Sequence, residues 1–222
     1  MSILFVSTSA NKLGVEHKTG LWLEEFAIPY MVLKTAGHEI TVASPLGGQI
    51  PLDPKTEPND QQRAEWAPAL AALQNTEVLS RLPPVDWKAI VIPGGHGPLV
   101  DLADDHALAN LLRQQDARKG LIAAVCHGPA GLLSAKNANG ISIIQGRKIS
   151  GFSNMEERLA LLHDVVPFLL EDRLKEAGAS YDHTLIPFHA HIVEDGHFIT
   201  GQNPASSEPL AKRLLERLAE RP

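Results

Sequence analysis

Apolar positions along this chain fall into short unbroken runs separated by longer amphipathic stretches, the pattern of buried parallel strands alternating with helices. Ile3 to Val6 predicts a first strand that opens into a loop. Leu21, Trp22, Phe26, Ile28, Met31, Val32 and Leu33 predict a mainly apolar helix stopped at Gly37, and Glu39 to Ala43 a second strand, which completes a β-α-β unit. From about Pro45 to Pro84 the alternation breaks. Gly47, Gly48, Pro51, Pro54 and Pro58 mark irregular chain ahead of a helical stretch near Gln61 to Leu73, and the whole segment reads as an insertion or cap. Alternation resumes with a strand Ala89 to Ile92, a glycine-rich turn, a helix near His106 to Arg118, a strand Leu121 to Val125 and a helix from Gly128 to Ala135.

Further on, Ile141 to Ile144 and Lys148 to Ser150, separated by Gln145-Gly146-Arg147, predict a hairpin, followed by helices over Met155 to Leu162 and Pro167 to Ala177. A second hairpin is expected around Asp195-Gly196, joining Ile192-Val193 to Phe198–Thr200. The last helix is expected to start with Asn203 as N-cap and Pro204 at its first position, with Leu210, Leu214, Leu215 and Leu218 as its apolar stripe. Together the elements predict an α/β protein, and at 222 residues one domain over 1–222 with an insertion at about 45–84 is favoured over two folding units.

Composition narrows the partners. The net charge is −6 with lysines and arginines scattered, so the basic footprint of a nucleic-acid binder is missing. One cysteine excludes an internal disulfide and favours a reducing compartment. The first residues carry no basic region and too short an apolar stretch for a signal peptide, and no later run is long enough to span a bilayer. A soluble cytoplasmic protein without nucleic-acid or membrane partners is expected.

That one cysteine, Cys126, closes the apolar run Leu121 to Val125 and precedes His127-Gly128-Pro129. A strand that turns sharply into a helix exposes the turn residue at the top of a sheet, and a helix N-terminus favours a thiolate there, with His127 beside it. A lone cysteine after a strand is also explained as a small buried residue, but the Val125-Cys126-His127-Gly128-Pro129 context favours a nucleophile. Pro93-Gly94-Gly95-His96-Gly97 follows another strand and emerges at the same sheet edge, where ligands of open α/β sheets bind. Gly94 or Gly95, with the amide of His127, is expected to form an oxyanion hole for a tetrahedral adduct. Among the carboxylates, Glu25 and Glu157 are the candidates. Glu25 lies between Trp22 and Phe26 and is expected to face inward, where a protonated carboxyl hydrogen-bonds a thiolate, although periodicity does not choose between it and Glu24. His189 and His191 have strand-like same-face spacing, but two nearby histidines are more often polar pocket or surface residues than ligands, so no metal is assigned.

Lys18 to Glu25 with Pro29, Ile92 to Gly97, Ala124 to Pro129, Gly151-Phe152-Ser153 with Glu156-Glu157, and Thr200 to Ser206 together resemble the DJ-1/PfpI superfamily, in the family's order and over nearly the whole chain. The nearest branch is the heat-shock, chaperone-like one, glutamine amidotransferase-like proteins with glyoxalase III (D-lactate dehydratase) activity. The resemblance implies a flavodoxin-like three-layer α/β/α sandwich with a mostly parallel sheet and an inserted cap, and a homodimer. It implies Cys126 as nucleophile, His127 as its partner, Glu157 as the acid orienting the histidine, with Glu156 as the register alternative, and Glu25 as the carboxyl beside the thiol. The expected activity is cofactor-independent conversion of methylglyoxal or a related small dicarbonyl to a 2-hydroxy acid, a glyoxalase III or deglycase-like protection, since deglycation of dicarbonyl adducts uses the same thiol and sequence does not separate the two. Metal-binding members place a site in the cap, whereas 45–84 here holds neither histidine nor cysteine, so no metal is expected there. A cysteine amidase or peptidase is the alternative enzyme, and a holding chaperone or redox sensor the alternative outside enzymes.

Overall fold

Apolar runs buried on both faces have no water to receive their backbone N–H and C=O groups, so they pair with one another. In a computed structural model that describes residues 2–220, and so leaves Met1, Arg221 and Pro222 at the ends of the expected domain outside the described residues, the strands are β1 (Ser2–Val6), β2 (Lys12–Leu13), β3 (His17–Lys18), β4 (Glu39–Ser44), β5 (Glu77–Val78), β6 (Ala89–Ile92), β7 (Leu121–Val125), β8 (Lys148–Ile149), β9 (Ser180–Tyr181), β10 (Ile192–Asp195) and β11 (Phe198–Gly201). The helices are α1 (Leu23–Thr35), α2 (Asp60–Glu65), α3 (Ala67–Ala72), α4 (Pro98–Asp101), α5 (His106–Ala117), α6 (Asn154–Leu159), α7 (Leu170–Glu176) and α8 (Ser207–Ala219). Seven strands form the central sheet in the order β10-β11-β7-β6-β1-β4-β5. Every pair is parallel except β10 with β11, the hairpin expected around Asp195-Gly196.

Helices α1, α3 and α8 pack together on one face, while α4, α5, α7 and a 3-10 helix over Gly128–Ser134 cover the other. This is the flavodoxin-like sandwich. Phe5 on β1 meets Phe26 and Tyr30 on α1 at ring-centroid distances of 5.2 and 6.0 Å, a contact that seats α1 and so fixes where Glu25 points. The strand order reverses between β1 and β6, the switch point at which α/β sheets bind ligands beyond their carboxyl ends. The loops after β1, β6, β7 and β11 all open there.

Several expectations change. The helical stretch near Gln61 to Leu73 divides at Trp66 into α2 and α3, because Pro68 lacks an N–H and its ring clashes with the preceding turn. Segment 45–84 also returns to the sheet, adding β5 as an edge strand beside β4. The hairpin expected at Ile141 to Ser150 does not form. Ile143 and Ile144 enter the core from turns, and Lys148–Ile149 instead pairs in parallel with Ser180–Tyr181 while the Lys148 N–H donates to Asp195. Gly128 to Ala135 is wound as a 3-10 rather than an α-helix, in keeping with a first turn of Gly128, Pro129 and Gly131 pressed against β6. Asn203 opens a single 3-10 turn, Pro204–Ser206, and α8 begins at Ser207.

Candidate active site

Cys126 takes a left-handed backbone conformation, φ 58°, at the end of β7. For a residue with a Cβ this costs on the order of 1–2 kcal/mol. The turn is held on both sides: the Cys126 N–H donates to Gly201 O at 2.9 Å, and the Phe152 N–H donates to Cys126 O at 2.9 Å. Gly128 allows the chain to pass under β6, since a Cβ there would sit 2.1 Å from Ile92 O. The turn directs the side chain into a chamber of about 180 Å³ walled by Trp22, Phe152, Phe188 and Pro204, with Lys55 from segment 45–84 among its lining residues.

His127 places Nδ1 3.3 Å from Cys126 Sγ and Nε2 2.7 Å from Glu157 Oε2. The other oxygen, Glu157 Oε1, lies 2.8 Å from His96 Nε2, and the His96 and His127 rings are 4.1 Å apart. Burial, with His96 adding to it, pushes His127 down to about 4. Burial alone would raise Glu157, but His127 and His96 outweigh it and hold this carboxyl well below the usual carboxylate range. At neutral pH the ionised Glu157 therefore accepts from His127 Nε2–H, which leaves the Nδ1 lone pair of a neutral imidazole facing the thiol. That is the arrangement of a general base.

Ser153 caps α6, and the two glutamates of its first turn diverge. Glu156 accepts from the Ser153 N–H and hydroxyl, Gln202, Asn203 and the Phe188 N–H at 2.8–3.0 Å, tying α6 to the loops around β11. Glu157 alone reaches the histidines.

Glu25 is fully buried on α1, whereas Glu24 is not. Its Oε2 accepts the Gly94 N–H at 2.9 Å, and its carboxyl lies beside the Cys126 thiol. Burial pushes Glu25 up to about 8, so it holds its proton at pH 7. Burial and Glu25 also push the Cys126 thiol up. The expected helix-stabilised thiolate is thus replaced by a resting thiol. The oxyanion expectation changes as well: the Gly94 N–H is committed to Glu25, while the Gly95 N–H lies against both the Glu25 carboxyl and the thiol. Gly95 and the His127 amide are the donors left for an oxyanion.

His191 Nε2 lies 3.2 Å from Asp182, and no third ligand joins it with His189 among the described residues. The one group there with ligand atoms close enough to hold a metal ion is His96, His127 and Glu157, within 4.8 Å of one another and already joined by hydrogen bonds. His96 received no role from the sequence. Its only signal was a place in the Pro93 to Gly97 turn, and its partner lies 61 positions away.

The family model for the DJ-1/PfpI family matches residues 17–217. The chain is 27% identical to the glutathione-independent glyoxalase HSP31 of Saccharomyces cerevisiae, over 97% of both chains. It superposes on the X-ray structure of the Rapid Encystment Protein 24 kDa of Francisella tularensis with a TM-score of 0.91, 34% identity and 98% coverage of both chains. With the crystal structure of glyoxalase III from Candida albicans the TM-score is 0.89, at 26% identity, covering 97% of this chain and 96% of that one.

Proposed function

This chain belongs to the DJ-1/PfpI family, and from that premise we propose that it is a glutathione-independent glyoxalase which converts methylglyoxal or a similar 2-oxoaldehyde to the 2-hydroxy acid. The observation that carries the reading is the alignment Cys126, His127, Glu157 at 3.3 and 2.7 Å behind a strained turn, opening on a chamber that suits a small aldehyde better than a peptide. The names of the yeast and Candida relatives support it.

In the proposed reaction Cys126 Sγ adds to the aldehyde carbon as its proton passes to His127 Nδ1, and the new oxyanion accepts from the Gly95 and His127 N–H groups. Protonation of that oxygen gives a hemithioacetal. His127, held by Glu157, then removes the hydrogen from the former aldehyde carbon, and the resulting enediolate takes a proton at the neighbouring carbon. The first carbon is oxidised as the second is reduced, so the redox change is internal to the substrate. Water cleaves the resulting 2-hydroxy thioester, returning the thiol and releasing a carboxylate and one proton. Glu25, protonated, donates to the sulfur whenever it carries charge.

A D-lactate product, and with it the lyase assignment, follows the resemblance. A catalytic free thiol supports a reducing, cytoplasmic setting. No helix among the described residues is long and apolar enough to cross a membrane. We expect a homodimer, in which exposed apolar side chains such as Leu159, Leu161, Leu185 and Ile186 are candidates for burial. The test is purified protein with methylglyoxal and no glutathione, followed by chiral analysis of lactate. Wild type is expected to form D-lactate and Cys126→Ser to lose at least about 10³-fold in kcat/KM. Wild-type turnover by a folded Cys126→Ser protein would overturn the covalent mechanism.

A further inference from the structure

His96 and Lys55 are shared by two chambers. Beyond them from the thiol lies a second chamber of about 130 Å³, lined also by Lys18, Thr19 and Asp53 and by Leu13 of the β2–β3 ribbon. Thr19 is 3% exposed, yet its hydroxyl has no hydrogen-bond partner. His96 is 7% exposed and uses Nε2 on Glu157. A buried hydroxyl left unsatisfied carries its full desolvation penalty, which an arriving acceptor recovers. The lining carries two lysines against one carboxylate. Neither Lys18 nor Lys55 has an ion-pair partner among the described residues, and the single acid, Asp53, has Oδ1 occupied by the Lys55 N–H at 3.0 Å. The ligand atoms of His17, Asp53 and His96 do not converge on a metal-sized point, so a cation site is not formed here.

We infer that this second chamber is a carboxylate subsite, with the Thr19 hydroxyl and the Lys18 and Lys55 ammonium groups as donors, opening onto the thiol chamber across His96. The inference rests on the proposed glyoxalase reading and deepens it. A 2-oxoaldehyde is neutral and its product is a carboxylate, so an anion-selective chamber beside the thiol separates the two by charge. The carboxylate is either the one formed at the thiol or one carried in on a larger dicarbonyl.

The experiment is calorimetric binding of D-lactate and its neutral amide, D-lactamide, to wild type, Lys55→Met, Thr19→Val and Thr19→Ser, with melting curves to establish folding. In parallel, KM is compared for phenylglyoxal and 4-carboxyphenylglyoxal. D-lactate is expected to bind and D-lactamide to bind at least about tenfold more weakly, with Lys55→Met weakening D-lactate about tenfold, Thr19→Val about fivefold, and Thr19→Ser not at all. That result assigns the product's carboxylate. No D-lactate binding, but a KM advantage for 4-carboxyphenylglyoxal that Lys55→Met removes, assigns a substrate-borne one. Absence of both, or equal binding of D-lactate and D-lactamide, overturns the subsite. Lys55 is exposed, so its variant remains informative if Thr19→Val does not fold. If D-lactate binds as expected but wild type leaves methylglyoxal unconsumed, the glyoxalase reading fails and the carboxylate site stands.

Discussion

Two buried carboxyls flank the same thiol and imidazole, and their surroundings put them in opposite states. Glu25 lies under Cys126 with the Gly94 and Gly95 N–H groups and no cation, so loss of water dominates and it keeps its proton to about pH 8. Glu157 lies behind His127, also buried though less deeply, but a histidine faces each of its oxygens and it stays ionised. Burial alone therefore does not decide the charge of a carboxyl. The partners do, and here they leave a protonated carboxyl on one side of the thiol–imidazole pair and a fixed negative charge on the other.

The largest effect is expected from removing the fixed charge. Glu157→Gln presents His127 with an amide that no longer selects the Nε2–H tautomer or supports an imidazolium, and kcat is expected to fall about 10²–10⁴-fold. Stopped assays at neutral pH with methylglyoxal check this, and a loss below about threefold would remove Glu157 from the relay.

Removing the proton donor acts on pH dependence and stability. His127 must be neutral to accept the thiol proton, and Glu25 must be protonated to support the sulfur, so kcat/KM is expected to be flat between about pH 4 and about pH 8. Glu25→Gln should lower the plateau about tenfold and abolish the limb near pH 8. The sign for stability is opposite. Because the folded-state pKa of Glu25 is raised, both states are protonated below about pH 4.5, and from there the unfolded chain is increasingly favoured until about pH 8. Denaturant melts of Glu25→Gln and wild type should agree at pH 4 and differ by on the order of 3 kcal/mol in the variant's favour at pH 7. Equal stability at both pH values would show that Glu25 is not strained by burial.

Glu156→Gln tests the neighbour that lies outside the relay. With one oxygen replaced by an amide donor, part of its five-bond tie is lost, and the melts should register about 1–3 kcal/mol of destabilisation while folded protein turns over within about threefold of wild type. A turnover loss as large as that of Glu157→Gln would merge the two roles.

The strands at the centre of the sheet were legible because Ile3 to Val6, Ala89 to Ile92 and Leu121 to Val125 are buried on both faces and so carry unbroken apolar runs. Lys148–Ile149 was misread because a two-residue strand has no periodicity and its partner is more than thirty positions away. The turn at Cys126 was legible from residue types. The state of its thiol was not, since it depends on how deeply Glu25 and the thiol are buried together. In the same way Gly94 was visible at the sheet edge, but only packing reveals that Glu25 takes its amide. Glu24 and Glu25 could not be separated by periodicity because Pro29 and the nearly all-round apolar surface of α1 blur its inward face. His96 meets Glu157 through a contact across the fold, for which a single sequence has no local signature.

The most direct test of the two opposed carboxyls is the infrared difference spectrum of wild type minus Glu25→Gln, recorded from pH 5 to pH 9 beside the same difference for Glu157→Gln. The account predicts that the Glu25 difference shows a protonated-carboxyl C=O band that fades with a midpoint of about 8, while the Glu157 difference shows only ionised-carboxylate bands throughout. An ionised Glu25 at pH 6, or a protonated Glu157, would contradict it.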